Sequence, residues 1–190
     1  MRAFIGIDFE RSLKNEIYEL QQRFKENAIS GRWKNIDNFH LTLKFLNEIS
    51  SIEQAQIDTA VKKLCMGKKP FYLKLGKPDI FAGRDSVRVL WIGILGDLKQ
   101  LNILQQEIDQ AIKPLGFSAE RRKFKPHITI GQDIVFERRF DEIKSYFDNI
   151  QWEPIRVDRL FLFKSEQIKY KRVYTKVTEY NLRNEKCDKL

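Results

Sequence analysis

Apolar residues recur along this chain in two rhythms, one of strands and one of helices. Residues 2–9 run apolar or alternate (Ala3, Phe4, Ile5, Ile7, Phe9), which predicts a strand. Leu13, Ile17, Leu20 and Phe24 then recur at spacings of four, three and four, giving one face of a helix over 11–26. A strand follows at 40–46. Ile57, Ala60, Val61 and Leu64 put a second helix over 51–65, with Ser51 as its predicted cap and Glu53 or Gln54 close behind. Residues 70–76 read as another strand. The same order then returns. A strand at 87–95 precedes a helix at 97–112, which stops before Pro114 and Gly116. A strand at 124–131 precedes a helix carrying Phe136, Phe140, Ile143 and Phe147. A strand at 155–163 is followed by a hairpin partner at 172–178.

Equivalent elements of the two runs start about 86 residues apart. An internal duplication explains this register, although side-chain identity between the halves is poor. It divides the chain into two pseudo-symmetric lobes, about 1–85 and 86–178, with exchange of terminal strands left open and 179–190 as a C-terminal tail. Two lobes related by a pseudo-two-fold axis would set equivalent strands facing one another across a cleft.

Composition narrows the class without naming a function. A chain of 190 residues, 42% hydrophobic and 12% aromatic, has the make-up of a globular domain. No apolar run approaches the roughly 20 residues of a membrane helix, and the N-terminus does not read as a signal peptide. The expectation is a cytoplasmic protein with no membrane association. Cys65 and Cys187 lie far apart and read as free thiols. With two histidines and two scattered cysteines there is little from which to build a zinc site, so no metal is expected. The net charge of +9 favours polyanions such as nucleic acid, but excess lysine also serves solubility.

Both histidines occur in one pattern. His40 sits in "NFHLTLKFL" and His127 in "FKPHITIGQ", each with a threonine two residues on, Thr42 and Thr129. In a strand, residues i and i+2 share a face, so each imidazole projects beside a hydroxyl. A single histidine in a strand is usually structural. Two copies at equivalent places in a duplicated chain, with no other histidine, outweigh that reading. Imidazole titrates near ~6.5, so one ring can hold a proton while the other lacks it. A matched acid and base is what in-line displacement at phosphorus needs, and the threonines supply neutral donors to phosphate oxygens.

These residues and their surroundings resemble the 2H phosphoesterases, and within them the RNA 2',3'-cyclic phosphodiesterases once called 2'-5' RNA ligases. The resemblance runs through "RAFIGIDF", "RWKNIDNFHLTLKFLNEI", "VRVLWIGI", "LGFSAERRKFKPHITIGQ" and "LFLFKSE", nearly the whole chain. It implies an α+β fold, a bilobal cradle of two antiparallel sheets about a central cleft with helices outside. It implies hydrolysis of RNA or nucleotide 2',3'-cyclic phosphate to the 2'-phosphate, without metal or other cofactor. His40 would be the general acid for the departing 3'-oxygen and His127 the general base toward water, with Thr42 and Thr129 on the non-bridging oxygens. By microscopic reversibility, a 5'-hydroxyl attacking in place of water would give weak 2'-5' ligation. A monomer is expected.

One position departs from the family, which often has an arginine where this chain has Gln132. A guanidinium there would neutralise developing charge. Lys44, expected on the His40 face, is a candidate replacement, or else a solvated strand-end lysine. Arg121, Arg122 and Lys125 form either a solvated loop or a contact to RNA backbone. Phe4, Trp33, Phe81 and Trp91 are candidates to stack on a base, with Phe4 and Trp91 reading more as core and Trp33 as a residue of the site's rim. Two other functions stay open: a nucleotide- or RNA-binding module with little turnover, and a 2H phosphodiesterase for another substrate such as a 2'-5' oligoadenylate.

Overall fold

The computed structural model describes residues 1–119, 123–147 and 150–183. Arg121, Arg122, Cys187 and the rest of 184–190 lie outside them. The element order is β1 (Arg2–Asp8), α1 (Arg11–Lys25), β2 (Ala28–Trp33), β3 (His40–Glu48), α2 (Ser51–Met66), β4 (Phe71–Ala82), β5 (Val87–Gly96), α3 (Leu98–Ile112), β6 (His127–Phe136), α4 (Phe140–Lys144), β7 (Ile155–Val157), β8 (Arg159–Ile168) and β9 (Lys171–Asn181). They form two sheets, ordered β3-β1-β8-β9 and β2-β6-β5-β4-β7, with every pairing antiparallel. The fold is α+β. No helix among the described residues is long and apolar enough to cross a membrane.

The sheets do not respect the midpoint of the sequence. β4, from the first half, pairs with β5. β8, from the second half, pairs with β1. The run read as one strand at 155–163 is two strands, β7 and β8, which belong to different sheets. The first half thus gives β2 and β4 to the second sheet and the second half gives β8 and β9 to the first, so neither half closes a core alone. The apolar faces of α1, α2 and α3 (Leu13, Ile17 and Phe24; Ile57 and Val61; Leu101, Leu104 and Ile108) pack with the backs of both sheets in one core. A smaller cluster, Phe4, Phe161 and Phe163 with Tyr174 against it, lies on the opposite face of the first sheet. That face also carries His40.

Several boundaries differ from the sequence reading. Ser50, not Ser51, caps α2, its hydroxyl accepting from the Glu53 N–H while the Glu53 carboxylate accepts from the Ser50 N–H. The periodic aromatic Phe136 ends β6 rather than opening a helix, and α4 is only five residues long. Residues 28–33 form an unexpected strand, because an exposed edge such as "AISGRW" shows no apolar alternation. β9 runs to Asn181, inside the segment read as a tail. Buried Tyr180 donates to Asp58 Oδ1 at 2.5 Å, and Thr178 donates to Asp58 Oδ2 at 3.1 Å, fastening β9 to α2.

The largest correction concerns Lys44. Along β1, Ile5 pairs with Lys44 but Gly6 pairs with Thr42, so Leu43 is an extra residue in β3. This bulge reverses the alternation. Lys44 turns into the core beside Ile5, 5% exposed, and Phe45 takes the face of His40 and Thr42. The Lys44 ammonium sits 2.7 Å from the Asp109 carboxylate of α3 and donates to the Ser118 carbonyl at 2.6 Å. Gln105 donates to the other Asp109 oxygen at 2.9 Å. Lys44 is therefore a structural strut between β3 and α3. Removing one partner of such a buried pair strands the other's charge. Lys44→Met is expected to lower unfolding free energy by about 3–5 kcal/mol, with Lys44→Met/Asp109→Leu recovering most of the loss, as measured by urea titration.

Candidate active site

Each histidine is the first residue of its strand, so its ring lies beside the incoming loop. His40 Nδ1 is 2.7 Å from the Asn38 carbonyl, and His127 Nδ1 is 2.6 Å from the Lys125 carbonyl. A carbonyl only accepts, so in both rings the proton of the neutral imidazole belongs on Nδ1. The basic lone pair is left on Nε2. At His40 that nitrogen lies 2.8 Å from the Thr42 hydroxyl, which donates to it. At His127 no hydrogen-bond partner of Nε2 is found among the described residues.

The bulge of β3 recurs in β6. Trp91 pairs with Thr129 but Leu90 pairs with Gly131, leaving Ile130 as the extra residue. In each motif strand it is the third residue after the histidine. Val89 and Trp91 share a face of β5, so their partners Gln132 and Thr129 share one on β6. Gln132 therefore stands on the His127 side, where strict alternation would have placed Gly131. On the first sheet, Gly6 lets β1 approach β3 closely, since a Cβ there would lie 2.7 Å from the Leu41 carbonyl oxygen.

Both rings are set in aromatic walls. His40 has Phe4 at 4.6 Å, Tyr174 at 5.1 Å and Phe163 at 5.9 Å between ring centroids. His127 has Phe81 at 5.3 Å and Trp91 at 5.8 Å. Phe4 and Trp91 are buried, as their apolar strands suggested, yet they pack against the imidazoles. The Lys125 ammonium lies over Trp91 at 4.3 Å and over Phe81 at 5.0 Å. Trp33 is not at the site's rim. It pairs with Gly131 and packs on the main core, where a Cβ at Gly131 would lie 3.1 Å from the indole ring.

These walls set the protonation of the rings. Burial, partly offset by the Asn38 hydrogen bond, pushes the His40 pKa down to about 4, with the Lys34 charge adding to the depression and Asp8 opposing it. Burial also lowers the His127 pKa, partly offset by the Lys125 carbonyl, with the Lys125 charge acting in the same direction as burial. At neutral pH both rings rest neutral. Among the described residues no group of three or more His, Cys, Asp or Glu side chains is placed to hold a metal ion.

Sequence reasoning missed Phe163, Tyr174 and Lys34. Only the strand register shows that β8 and β9 line His40. Lys34 looked like one lysine among many, yet it lies on the short connection from β2 to His40.

Residues 9–168 match the model of the 2'-5' RNA ligase superfamily. A protein of Methanocaldococcus jannaschii named RNA 2',3'-cyclic phosphodiesterase is 30% identical over 95% of this chain and 100% of its own length. One of the same name from Methanothermobacter thermautotrophicus is 25% identical over 96% and 99%. Among solved structures, E. coli LigT complexed with 3'-AMP superposes with a TM-score of 0.77 at 24% identity, covering 95% of this chain and 97% of that one. TT0787 of Thermus thermophilus superposes with a TM-score of 0.76 at 20% identity, covering 97% and 100%. The match to the family model spans most of the sequence and includes both His-x-Thr strands: the chain belongs to the 2'-5' RNA ligase superfamily.

Proposed function

We propose that this protein hydrolyses terminal 2',3'-cyclic phosphates of RNA or nucleotides to 2'-phosphates, with its two imidazoles as acid and base. The observation that carries the reading is the repeated local geometry of the histidines. Each opens a strand, each is fixed through Nδ1 to the carbonyl two residues back, and each has a threonine on its own face. The motif strands β3 and β6 lie against each other where the two sheets meet. The names of the M. jannaschii and M. thermautotrophicus relatives support the same substrate.

In the proposed reaction a water oxygen bonds to phosphorus as its proton passes to His127 Nε2. The bond from phosphorus to the 3'-oxygen breaks, and that oxygen takes a proton from His40 Nε2. The imidazoles end with exchanged protonation, and the product is the 2'-phosphate. No step calls on a metal. A 5'-hydroxyl replacing water would give the slow reverse-type joining through a 2'-5' bond. His40 is neutral in the free protein, so its proton must be stabilised by substrate. An anionic phosphate beside the ring favours imidazolium and offsets the burial that disfavours it.

A second reading, a nucleotide-binding module with little turnover, draws on Gln132, which puts an amide on the His127 face where a guanidinium would oppose charge. One assay separates the two. Nucleoside 2',3'-cyclic phosphates are incubated with the protein and a chelator, and the 2' and 3' isomers are resolved by 31P NMR. The expected result is chelator-insensitive formation of the 2' isomer, with His40→Ala and His127→Ala each lowering kcat about 10²- to 10⁴-fold. Binding without turnover supports the module. Loss of turnover with chelator refutes the metal-free mechanism, and turnover confined to 2'-5' oligoadenylates moves the substrate elsewhere.

The pH dependence follows from the burial of the rings. In the free protein burial holds both imidazoles below the ordinary 6.5, His40 at about 4. The bell of kcat/KM should therefore have both limbs below 6.5, while bound phosphate should move the limbs of kcat upward. A monotonic kcat/KM profile from acid to alkaline pH, with chemistry rate-limiting, would count against paired roles.

A further inference from the structure

In the free protein two neutral imidazoles and two hydroxyls offer an incoming phosphate no positive charge, and Lys44 has turned into the core. We infer that Lys34 is the cation that binds the substrate's phosphate, reaching it from the connection just after β2, on the motif side of the second sheet. This rests on the cyclic-phosphate reading above. Arg32 pairs with Gln132, and Trp33 pairs with Gly131 and packs on the core. Lys34 comes next and by alternation returns to the face of Arg32, Gln132 and Thr129. Its N–H donates to the Ile130 carbonyl at 3.1 Å, which sets it beside Thr129. Gln21 clamps this point from α1, its amide donating to the Lys34 carbonyl at 2.8 Å and to the Ile130 carbonyl at 2.7 Å.

The backbone hydrogen bond holds Lys34 against Ile130 of one motif strand, six residues before His40 of the other. Lys34 is half-buried, and its charge acts on His40 of the first sheet. Burial lowers the Lys34 pKa, and the charges of Arg32 and Arg172 act in the same direction. Arg172 is carried on β9 and is anchored where Asn38, just before His40, donates to the Arg172 carbonyl at 2.7 Å. Among the described residues no carboxylate pairs with Lys34, whereas Arg32 is paired with Asp133. A half-buried ammonium that feels two positive charges and has no carboxylate partner among the described residues carries an electrostatic cost. An incoming phosphate would relieve it.

The test uses inorganic phosphate as probe, which separates this inference from the question of turnover. Binding is followed by calorimetry, and the two imidazoles by 15N NMR, with His127→Ala assigning them. The groups acting on His40 are the Asn38 carbonyl, Lys34, Asp8 and Lys14, with Asp8 itself bridged by Lys14 and Lys176. Lys34→Met, which keeps an unbranched apolar stem, is expected to weaken phosphate about 10- to 100-fold. It should also raise the His40 pKa, because a positive charge that disfavours imidazolium is gone. Lys34→Arg should restore both values in large part. If the wild type turns over cyclic phosphate, kcat/KM of Lys34→Met should fall about 10²- to 10³-fold. Lys34→Gln, a polar substitute at the same place, serves if the methionine variant melts early. Unchanged phosphate affinity, or an unchanged His40 pKa, in a folded variant overturns the assignment. Failure of the wild type to hydrolyse cyclic phosphate, with phosphate still held through Lys34, would overturn the substrate reading instead.

Discussion

A hydrogen bond from each imidazole to the carbonyl two residues upstream governs the chemistry this molecule can do. It places the Nδ1 proton against an acceptor that cannot give it back, so only Nε2 exchanges protons with a ligand. It also fixes the ring plane, because the donor must point along the chain toward the incoming loop. That geometry exists only where a strand is just beginning, when the preceding backbone still departs from the ladder. At His127 the departure is enforced by Pro126, which lacks an N–H and holds Lys125 extended. At His40 a short 3-10 turn over Ile36–Asn38 does the same work, capped where Asn35 accepts from the Asp37 N–H. The loops are unrelated in sequence and arrive at one arrangement of ring and carbonyl.

Strand exchange makes that arrangement durable. If each half kept its own strands, the lobes could separate and the motif strands could drift apart. With β4 beside β5 and β8 beside β1, separation would tear ladders in both sheets. Much of this was legible in the sequence and some was not, for identifiable reasons. The paired order of strand and helix was legible because helices and strands that bury one face carry a period. The faces of His40, Thr42, His127 and Thr129 were legible because they precede the bulges. Lys44 and Gln132 come after them, and a single inserted residue exchanges every later side chain between faces. Nothing in "HLTLKFL" marks Leu43 as the extra residue, since both of its neighbours suit either face. β2 was invisible because an exposed edge strand has no apolar alternation. The reach of β4 past Pro78 was invisible because the ladder absorbs the proline at an irregularity between Leu75 and Pro78.

Electrostatics shows how little the bulk charge reveals. A net charge of +9 suggests a broad attraction for polyanions. Near the histidines, several cations are already engaged. Lys14 and Lys176 bracket Asp8 at 2.6 Å each, Lys44 is paired with Asp109, and Lys125 lies over two aromatic rings. A phosphate seat depends on the few charges whose local partners fall short of neutrality.

In the proposed reaction an acid and a base must differ, although both histidines stand in the same His-x-Thr pattern. The difference here is made by neighbours. His40 is ringed by Phe4, Phe163 and Tyr174, feels Asp8, Lys14 and Lys34, and has its Nε2 taken by Thr42. Around His127 the wall is Phe81 and Trp91 with Lys125 stacked on them, and Nε2 meets no hydrogen-bond partner among the described residues. In the proposed mechanism an unpartnered Nε2 suits the ring that accepts a proton from water. A ring whose pKa is held down to about 4 gives up its proton readily once it has one, which suits the acid of that proposal. Its proton then has to be stabilised by the anion it serves. Under that proposal acid catalysis is coupled to the presence of substrate, and the coupling comes from burial of the ring rather than from the motif.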